Sequence, residues 1–221
     1  VHNFCVIEMG GFYLDVIKDR LYTTPAGSLA RRSAQTAMYH IAEAMVRWLA
    51  PIVSFTAEEI WQALPSERGD SVFLSTWHTF PEMDGGTVVD WDSILAVRQA
   101  VSKELEQLRA AGDIGAPLDA RVDLFCSTPL ASTLSQLGDE LRYVFITSEA
   151  QVYAESERPE SAIAAGTEAA PFWLTLARSE AEKCVRCWHR CSDVGLHSEH
   201  PELCGRCVNN VVGPGETRVY A

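Results

Sequence analysis

The strongest hydrophobic periodicity lies over residues 31–50. Ala34, Ala37, Met38, Ile41, Ala42, Met45, Trp48 and Leu49 recur at i, i+3 and i+4 spacing, which makes one apolar helical face. Arg31, Arg32, Gln35, His40, Glu43 and Arg47 fall on the other face. Pro51 disfavours helical geometry at Ala50 and predicts a break there. Thr56-Ala-Glu-Glu59 has the capping-box form, which predicts a second helix starting there and ending before Pro65. Residues 3–18 are periodic through Phe4, Ile7, Phe12 or Leu14, and Ile17. They predict a helix despite Gly10 and Gly11, each of which costs about 1 kcal/mol relative to Ala. Residues 66–90, rich in Gly, Pro, Ser, Asp and Trp, predict a long surface connection.

Residues 91–111 return to helical spacing with Ile94, Val97, Val101, Leu105 and Leu108, and Gly112 is placed to end that helix. The period then changes. Arg121–Cys126 alternates and predicts a strand, Pro129–Leu137 a short helix, and Leu141–Thr147, Gln151–Ala154 and Phe172–Ala177 further strands. Residues 155–170 predict a loop or weak hairpin. The expected fold is therefore an antiparallel helical bundle over 1–90, a helix with a small α/β subdomain over 91–178, and a separate tail over 179–221. Val1 opens within a helical pattern without a preceding Met, so the chain is expected to be a piece of something longer.

The tail holds five of the seven Cys and three of the six His, and little else to build a core. A unit that small needs a staple. Cys184-Val-Arg-Cys187 and Cys204-Gly-Arg-Cys207 are separated by sixteen residues. Each C-x2-C turn puts two sulfurs on one side of a tight loop, and two such turns complete a tetrahedral site. Cys184, Cys187, Cys204 and Cys207 are thus the expected ligands of one zinc ion, with Gly205 supplying a positive φ in the second turn. Four thiolates leave no open position, so the ion is structural and no residue here is expected to be catalytic. Cys191, His189, His197 and His200 lie in or beside the same loop as possible substitute ligands, but the paired turns already supply four sulfurs. Cys5 and Cys126 are expected to be core thiols.

The 47% hydrophobic and 22% charged composition excludes wholesale disorder. The sequence shows neither an apolar run of membrane-spanning length nor a signal peptide. With no secretory signal, the cysteines favour a reducing, cytoplasmic setting. The net charge of −12 argues against non-specific adhesion to nucleic acid. It is uneven, however: five basic against four acidic side chains in 1–50, seven against twenty in 51–177, and six against six in 178–221. An anionic partner would be steered to the two ends.

Several segments together resemble the class I isoleucyl-tRNA synthetases of bacteria. They are Gly10–Tyr22 with its Lys-Asp-Arg, Arg31-Arg-Ser-Ala-Gln-Thr-Ala, Leu49–Trp61 with Phe-Thr-Ala-Glu-Glu-Ile-Trp, and the ending Glu182–Cys191 with Cys204–Val208. The Lys-Asp-Arg and Phe-Thr-Ala-Glu-Glu-Ile-Trp motifs are shared with the synthetases for Val and Leu. The four-cysteine tail with Trp188 points to isoleucine. The resemblance covers essentially the whole chain. It implies a class I anticodon-binding bundle whose ATP-site signatures, Rossmann catalytic domain and editing domain lie outside this sequence, so that ATP is used only by the full-length ligase.

The partner implied is the anticodon stem-loop of the isoleucine tRNA, bound by a monomer, with no DNA or membrane partner. Unstacked loop bases are met by aromatic stacking, guanidinium planes and base-edge hydrogen bonds. Trp188, one residue past a zinc ligand, is the expected stacking platform. Arg186 and Arg206, at matching places in the two turns, are expected to meet phosphate or a base edge. Lys18, Arg20, Arg31 and Arg32 are the expected contacts from the first two helices. Asp19 is expected to orient an arginine. The rival readings are the zinc-finger end of a formamidopyrimidine-type DNA glycosylase and a stand-alone zinc ribbon. Val1 and the Lys-Asp-Arg helix do not fit the first, and the bundle pattern of residues 1–62 does not fit the second.

Overall fold

The computed structural model describes residues 1–82, 88–167 and 170–221. Residues 83–87, part of the expected surface connection, lie outside the described residues. The chain divides into two compact units, Val1–Ala30 with Val88–Ala221, and Arg31–Thr87.

The first unit opens on a π-helical run, Phe4–Tyr13, followed by α1 (Leu14–Val16) and α2 (Lys18–Thr23). This corrects the single helix expected over 3–18. The glycines explain the change: a Cβ at Gly10 or Gly11 would lie 3.1 or 3.2 Å from the carbonyl five residues earlier. That is the closeness an i→i+5 turn produces and a side chain opposes.

The second unit is built on α3 (Leu29–Leu49) and α4 (Ser54–Ala63). The fourth helix starts two residues before the expected cap at Thr56, after Val53, which makes no side-chain cap. Glu58 is used elsewhere, accepting from Ser71 Oγ (2.7 Å) and the Val72 amide (3.1 Å). A small core of Val46, Ala50, Ala57, Trp61 and Val72 forms between the helices and the following loop. Trp61 donates its indole N–H to the Gly69 carbonyl at 2.9 Å. Glu43 binds Arg47 (2.5 Å) and Arg68 (2.8 Å), and both guanidinium groups lie over the Trp61 ring, 4.7 and 4.6 Å from its centroid.

Back in the first unit, α5 (Trp91–Ala111) matches its expected bounds. Asp90 caps its start by accepting from the Ser93 amide, and Gly112 ends it in the left-handed region at φ 84°. Its apolar stripe packs on a four-stranded sheet. The strands are β1 (Ala120–Cys126), β2 (Glu149–Ala154), β3 (Ile163–Thr167) and β4 (Ala170–Arg178), ordered β2-β1-β4-β3. β1 is parallel to β2 and antiparallel to β4, with Leu124 opposite Val152 and Leu174. Two short helices, α6 (Thr128–Ser135) and α7 (Leu141–Phe145), make the crossover that a parallel pair requires. Ile94, Val97, Val101 and Leu105 are buried against Val122, Leu124, Leu141, Phe145 and Leu174; each contributes roughly 1.5–3 kcal/mol by leaving water.

Leu141–Thr147, expected as a strand, is instead the helix α7. Its apolar run is too short for period to separate the two forms. Four of its five residues are buried, and the turn is closed by Ile146 at φ 58°. The weak hairpin expected in 155–170 takes shape as β3 paired antiparallel with β4. The last element is α8 (Gly205–Val212). The architecture is the expected one: a helical N-terminal part, a small mixed-sheet subdomain and a C-terminal cysteine cluster.

Candidate metal centre and nucleic-acid face

The first C-x2-C turn is a tight reversal. The Cys184 amide donates to the His189 carbonyl and the Trp188 amide to the Cys184 carbonyl, both at 2.9 Å, and Lys183 pairs with Arg190 across it. The second turn opens α8, with Cys204 just before the helix and Cys207 in its first turn, where the helix dipole favours a thiolate. The Cys204 amide points at Cys184 Sγ from 3.4 Å. Gly205 does not adopt the positive φ expected of it. It is needed for space: a Cβ there would lie 2.7 Å from Asp193 Oδ2, which accepts the Gly205 amide at 2.8 Å. The left-handed residue of the site is Trp188, at φ 66°.

The sulfurs of Cys184, Cys187, Cys204 and Cys207 are buried and all lie within 4.8 Å of one another. Cys187 and Cys204 are 3.7 Å apart, far longer than a disulfide of about 2.05 Å. It matches the roughly 3.8 Å edge of a tetrahedron whose metal–sulfur bonds are about 2.3 Å. Burial pushes the Cys184 thiol up, and Cys207 is pushed up by its hydrogen bond with Cys187 and by burial. Cys187 is pulled the other way, below its ordinary value, by hydrogen bonds from Cys191, Cys204 and Cys207, and four sulfurs this close are deprotonated together when a cation shares the site. The donor set therefore fits a metal ion. Cys191 is half-buried against the cluster without joining the four. His189 also stands outside the four, with Nδ1 3.2 Å from the Cys187 carbonyl oxygen and its ring edge-on to Tyr143.

The arginines of the two turns are engaged within the protein. Arg206 binds Asp19 through both terminal nitrogens, at 2.6 and 2.9 Å, and also reaches Glu216 (3.1 Å). Arg218 binds the same Asp19 at 2.5 Å. Both arginines lie over the Tyr143 ring, 5.3 and 3.5 Å from its centroid. Burial alone would raise the Asp19 carboxyl, but the hydrogen bond and charge of Arg206, with Arg218, hold it below its ordinary value. Asp19 thus orients arginines as expected, though from the distant tail. Arg186 donates to the backbone carbonyls of Thr23 (2.6 Å) and Tyr22 (3.5 Å), tying the first turn to α2. Arg20 is buried and donates to the Tyr220 carbonyl at 2.9 Å.

Lys18 is exposed and pairs with Asp15 at 2.8 Å. Trp188 keeps 61% of its surface exposed. Arg31 and Arg32 belong to the other unit, on α3, Arg31 half-buried and Arg32 exposed. The structure therefore brings Lys18, Arg20, Asp19, Arg186, Trp188 and Arg206 together around the metal turns. The sequence reading missed Arg218, Tyr143, Glu216 and Glu140; the Glu140 carboxylate accepts the amides of Val219, Tyr220 and Ala221, each at 2.7 Å. No local pattern marks these residues. Among the described residues, no helix is long and apolar enough to cross a membrane.

A family model described as the anticodon-binding domain of tRNA ligase matches residues 1–124. A second, described as a zinc finger found in FPG and IleRS, matches residues 181–210. The second leaves two enzyme families open, and only the first separates them. Over the full chain the sequence is 58% identical to the isoleucine–tRNA ligase of Halorhodospira halophila and 59% identical to that of Alkalilimnicola ehrlichii, covering 24% of each. It is 55% identical to that of Pseudomonas putida, again over 24%. The chain spans about a quarter of the length of the curated relatives it matches.

Proposed function

Because the chain belongs to the family of anticodon-binding domains of tRNA ligases, we propose that it is the tRNA-holding region of an isoleucine–tRNA ligase. The observation that carries this reading is the likeness to isoleucine–tRNA ligases, which runs unbroken from the family domain through the cysteine cluster. Joining isoleucine to its tRNA with ATP is the work of residues outside this chain, and the residues here bind and orient the RNA. The whole protein acts in the cytoplasm as a monomer.

The labour divides along the chain. Residues 1–90 hold the anticodon stem-loop, 91–178 form the scaffold, and 179–221 present a metal-held face. The metal is one structural Zn2+ on Cys184, Cys187, Cys204 and Cys207. Its closed shell supplies rigidity and no Lewis-acid chemistry. Trp188, exposed beside a ligand, offers a stacking surface, and Lys18, Arg31 and Arg32 offer charge to phosphates. Arg20, Arg186 and Arg206 act on the RNA through the surface they hold in place, since their guanidinium groups are taken by α2, Asp19 and the chain's last residues. The excess of acids in 51–177 repels RNA and makes binding weak.

The test is binding of this 221-residue chain to the isoleucine tRNA and to an anticodon-swapped version at one low salt concentration. The expected result is at least tenfold weaker binding of the swapped tRNA. Equal binding of the two, or none, overturns the reading that this region recognises the anticodon.

A further inference from the structure

A fifth sulfur, that of Cys191, stands beside the four of the candidate metal centre. It is half-buried and packs against the cluster of Cys184, Cys187, Cys204 and Cys207. Its place follows from the first turn. The bridge between Lys183 and Arg190 sets Cys184 opposite His189, and the Cys191 amide donates to the Glu182 carbonyl at 2.9 Å. Side chains opposite each other, or two apart along a strand, share a face. Cys191 therefore stands on the face that carries Cys184.

The contact is selective. Cys191 shares hydrogen bonds with the sulfurs of Cys187 and Cys204, one from each turn. Those two are themselves 3.7 Å apart, so Cys191 closes a triangle on one edge of the tetrahedron. The cluster is also open on this side. A cavity of about 250 Å3 is lined by Cys191 and Cys204, together with Arg142, Arg190, Glu149 and Asp193. Arg190 is held by Asp119. Arg142 donates to the Tyr143 hydroxyl at 2.9 Å, and its charge reaches Cys191. A further sulfur beside four thiolates meets their combined negative charge, and Arg142 offsets part of that repulsion.

Soft thiolate donors select zinc and similar ions, and a tetrahedral shell has room for four. A sulfur that touches two ligands enters such a shell only by displacing one of them.

We propose that Cys191 is an exchangeable ligand, which takes the place of Cys187 or Cys204 on the metal ion. The bond from Cys191 forms as the bond from the displaced sulfur breaks. The Cys191 proton passes to that sulfur, so the shell keeps four thiolates and its charge. Cys191 is thus a reserve donor on the open side of the cluster, and a ligand can leave without emptying its position. The proposal rests on the zinc reading above and adds a donor that the matched turns do not include.

The experiment loads the 221-residue chain with Co2+, whose thiolate absorption grows with the number of sulfurs bound. Cys187→Ser or Cys204→Ser is expected to keep one ion per chain and the four-sulfur absorption. Adding Cys191→Ser reduces the absorption to that of three sulfurs. It also weakens metal binding by more than about a hundredfold, beyond the range for losing an outer-shell partner. Cys184→Ser and Cys207→Ser give the three-sulfur absorption whether or not Cys191 is present. Three-sulfur absorption in both Cys187→Ser and Cys204→Ser, with Cys191 in place, overturns the proposal. Cys191→Ser alone keeps the four-sulfur absorption; a fall to three makes Cys191 a resident ligand and overturns the exchange. Where the ligand variants fail to fold, the native metal-loaded chain decides. Brief alkylation read by peptide mass spectrometry is expected to label Cys187 or Cys204 as well as Cys191, and Cys191→Ser is expected to protect both. Cys187 and Cys204 as protected as Cys184 and Cys207 in the native chain overturn the exchange. A native chain that binds no metal overturns the zinc reading along with the proposal, whereas metal bound with no part for Cys191 overturns the proposal alone.

Discussion

Both units use the same clasp. In each, one carboxylate sits between two arginines, and both arginines lie over one aromatic ring: Glu43 with Arg47, Arg68 and Trp61, and Asp19 with Arg206, Arg218 and Tyr143. They differ in reach. The Glu43 clasp closes within one stretch of chain, with 25 residues between its carboxylate and Arg68. The Asp19 clasp draws in partners 187 and 199 residues away. It joins α2, the end of the sheet subdomain, the metal turns and the chain's last residues into one structure. The same chemistry secures a local turn in one place and global order in the other, so the long clasp exists only while the metal turns are folded.

Metal removal is expected to have the largest effect. A structural Zn2+ site of this type contributes on the order of 10–16 kcal/mol of apparent binding free energy. A chelator should therefore unfold residues 179–221 and open the Asp19 clasp while the Glu43 clasp persists. Hydrogen exchange reads this directly, and loss of protection around Trp61 on chelation would contradict it.

Next come the carboxylates. Asp19→Asn and Glu43→Gln each leave two half-spent arginines in a buried place, at a cost of about 3–5 kcal/mol. The discriminating quantity is reach. Asp19→Asn should loosen α2, α8 and residues 216–221 together, whereas Glu43→Gln should loosen only the end of α3, α4 and the loop to residue 75. Equal footprints would remove the distinction.

Acid should open both clasps. Burial opposes ionisation of Glu43, but Arg47 and Arg68 more than offset it, so its carboxyl, like that of Asp19, lies below its ordinary value. A depressed carboxylate contributes stability above its unfolded pKa, about 4, and that stability is lost as pH falls through the folded value. Denaturant midpoints should therefore be flat near neutrality and fall below about pH 4, less steeply in either carboxylate variant. The smallest effect is expected of Trp61→Phe, which keeps a ring under the arginines and loses the hydrogen bond to Gly69, about 1 kcal/mol. The denaturant midpoint of the Arg31–Thr87 unit measures it.

The sequence made legible what is periodic or regularly spaced. α5 and its Gly112 end follow from a clean apolar stripe, and the four sulfurs follow from two matched turns. Where local pattern was weak, tertiary burial decided: Leu141–Phe145 is helical because its faces are filled from several sides. The arginines show the limit most clearly. Arg186 and Arg206 have matching places in sequence and different partners in space, and nothing near residue 19 announces a partner at 218. Gly205 was read for its torsion and is needed for its lack of a side chain, while the left-handed torsion of the site fell to Trp188, the last residue type spacing would suggest.

The separation of 187 residues between Asp19 and Arg206 also has a meaning in time. At about 5–20 residues per second, Arg206 leaves the ribosome roughly 10–40 seconds after Asp19. Glu43 waits only seconds for Arg68. During synthesis the Arg31–Thr87 unit can close while α2 still carries an unanswered carboxylate. The order in which the nascent chain emerges thus leaves α8 and residues 216–221 to lock after the Arg31–Thr87 unit, and capture of a metal ion by the four cysteines would complete the Asp19 clasp.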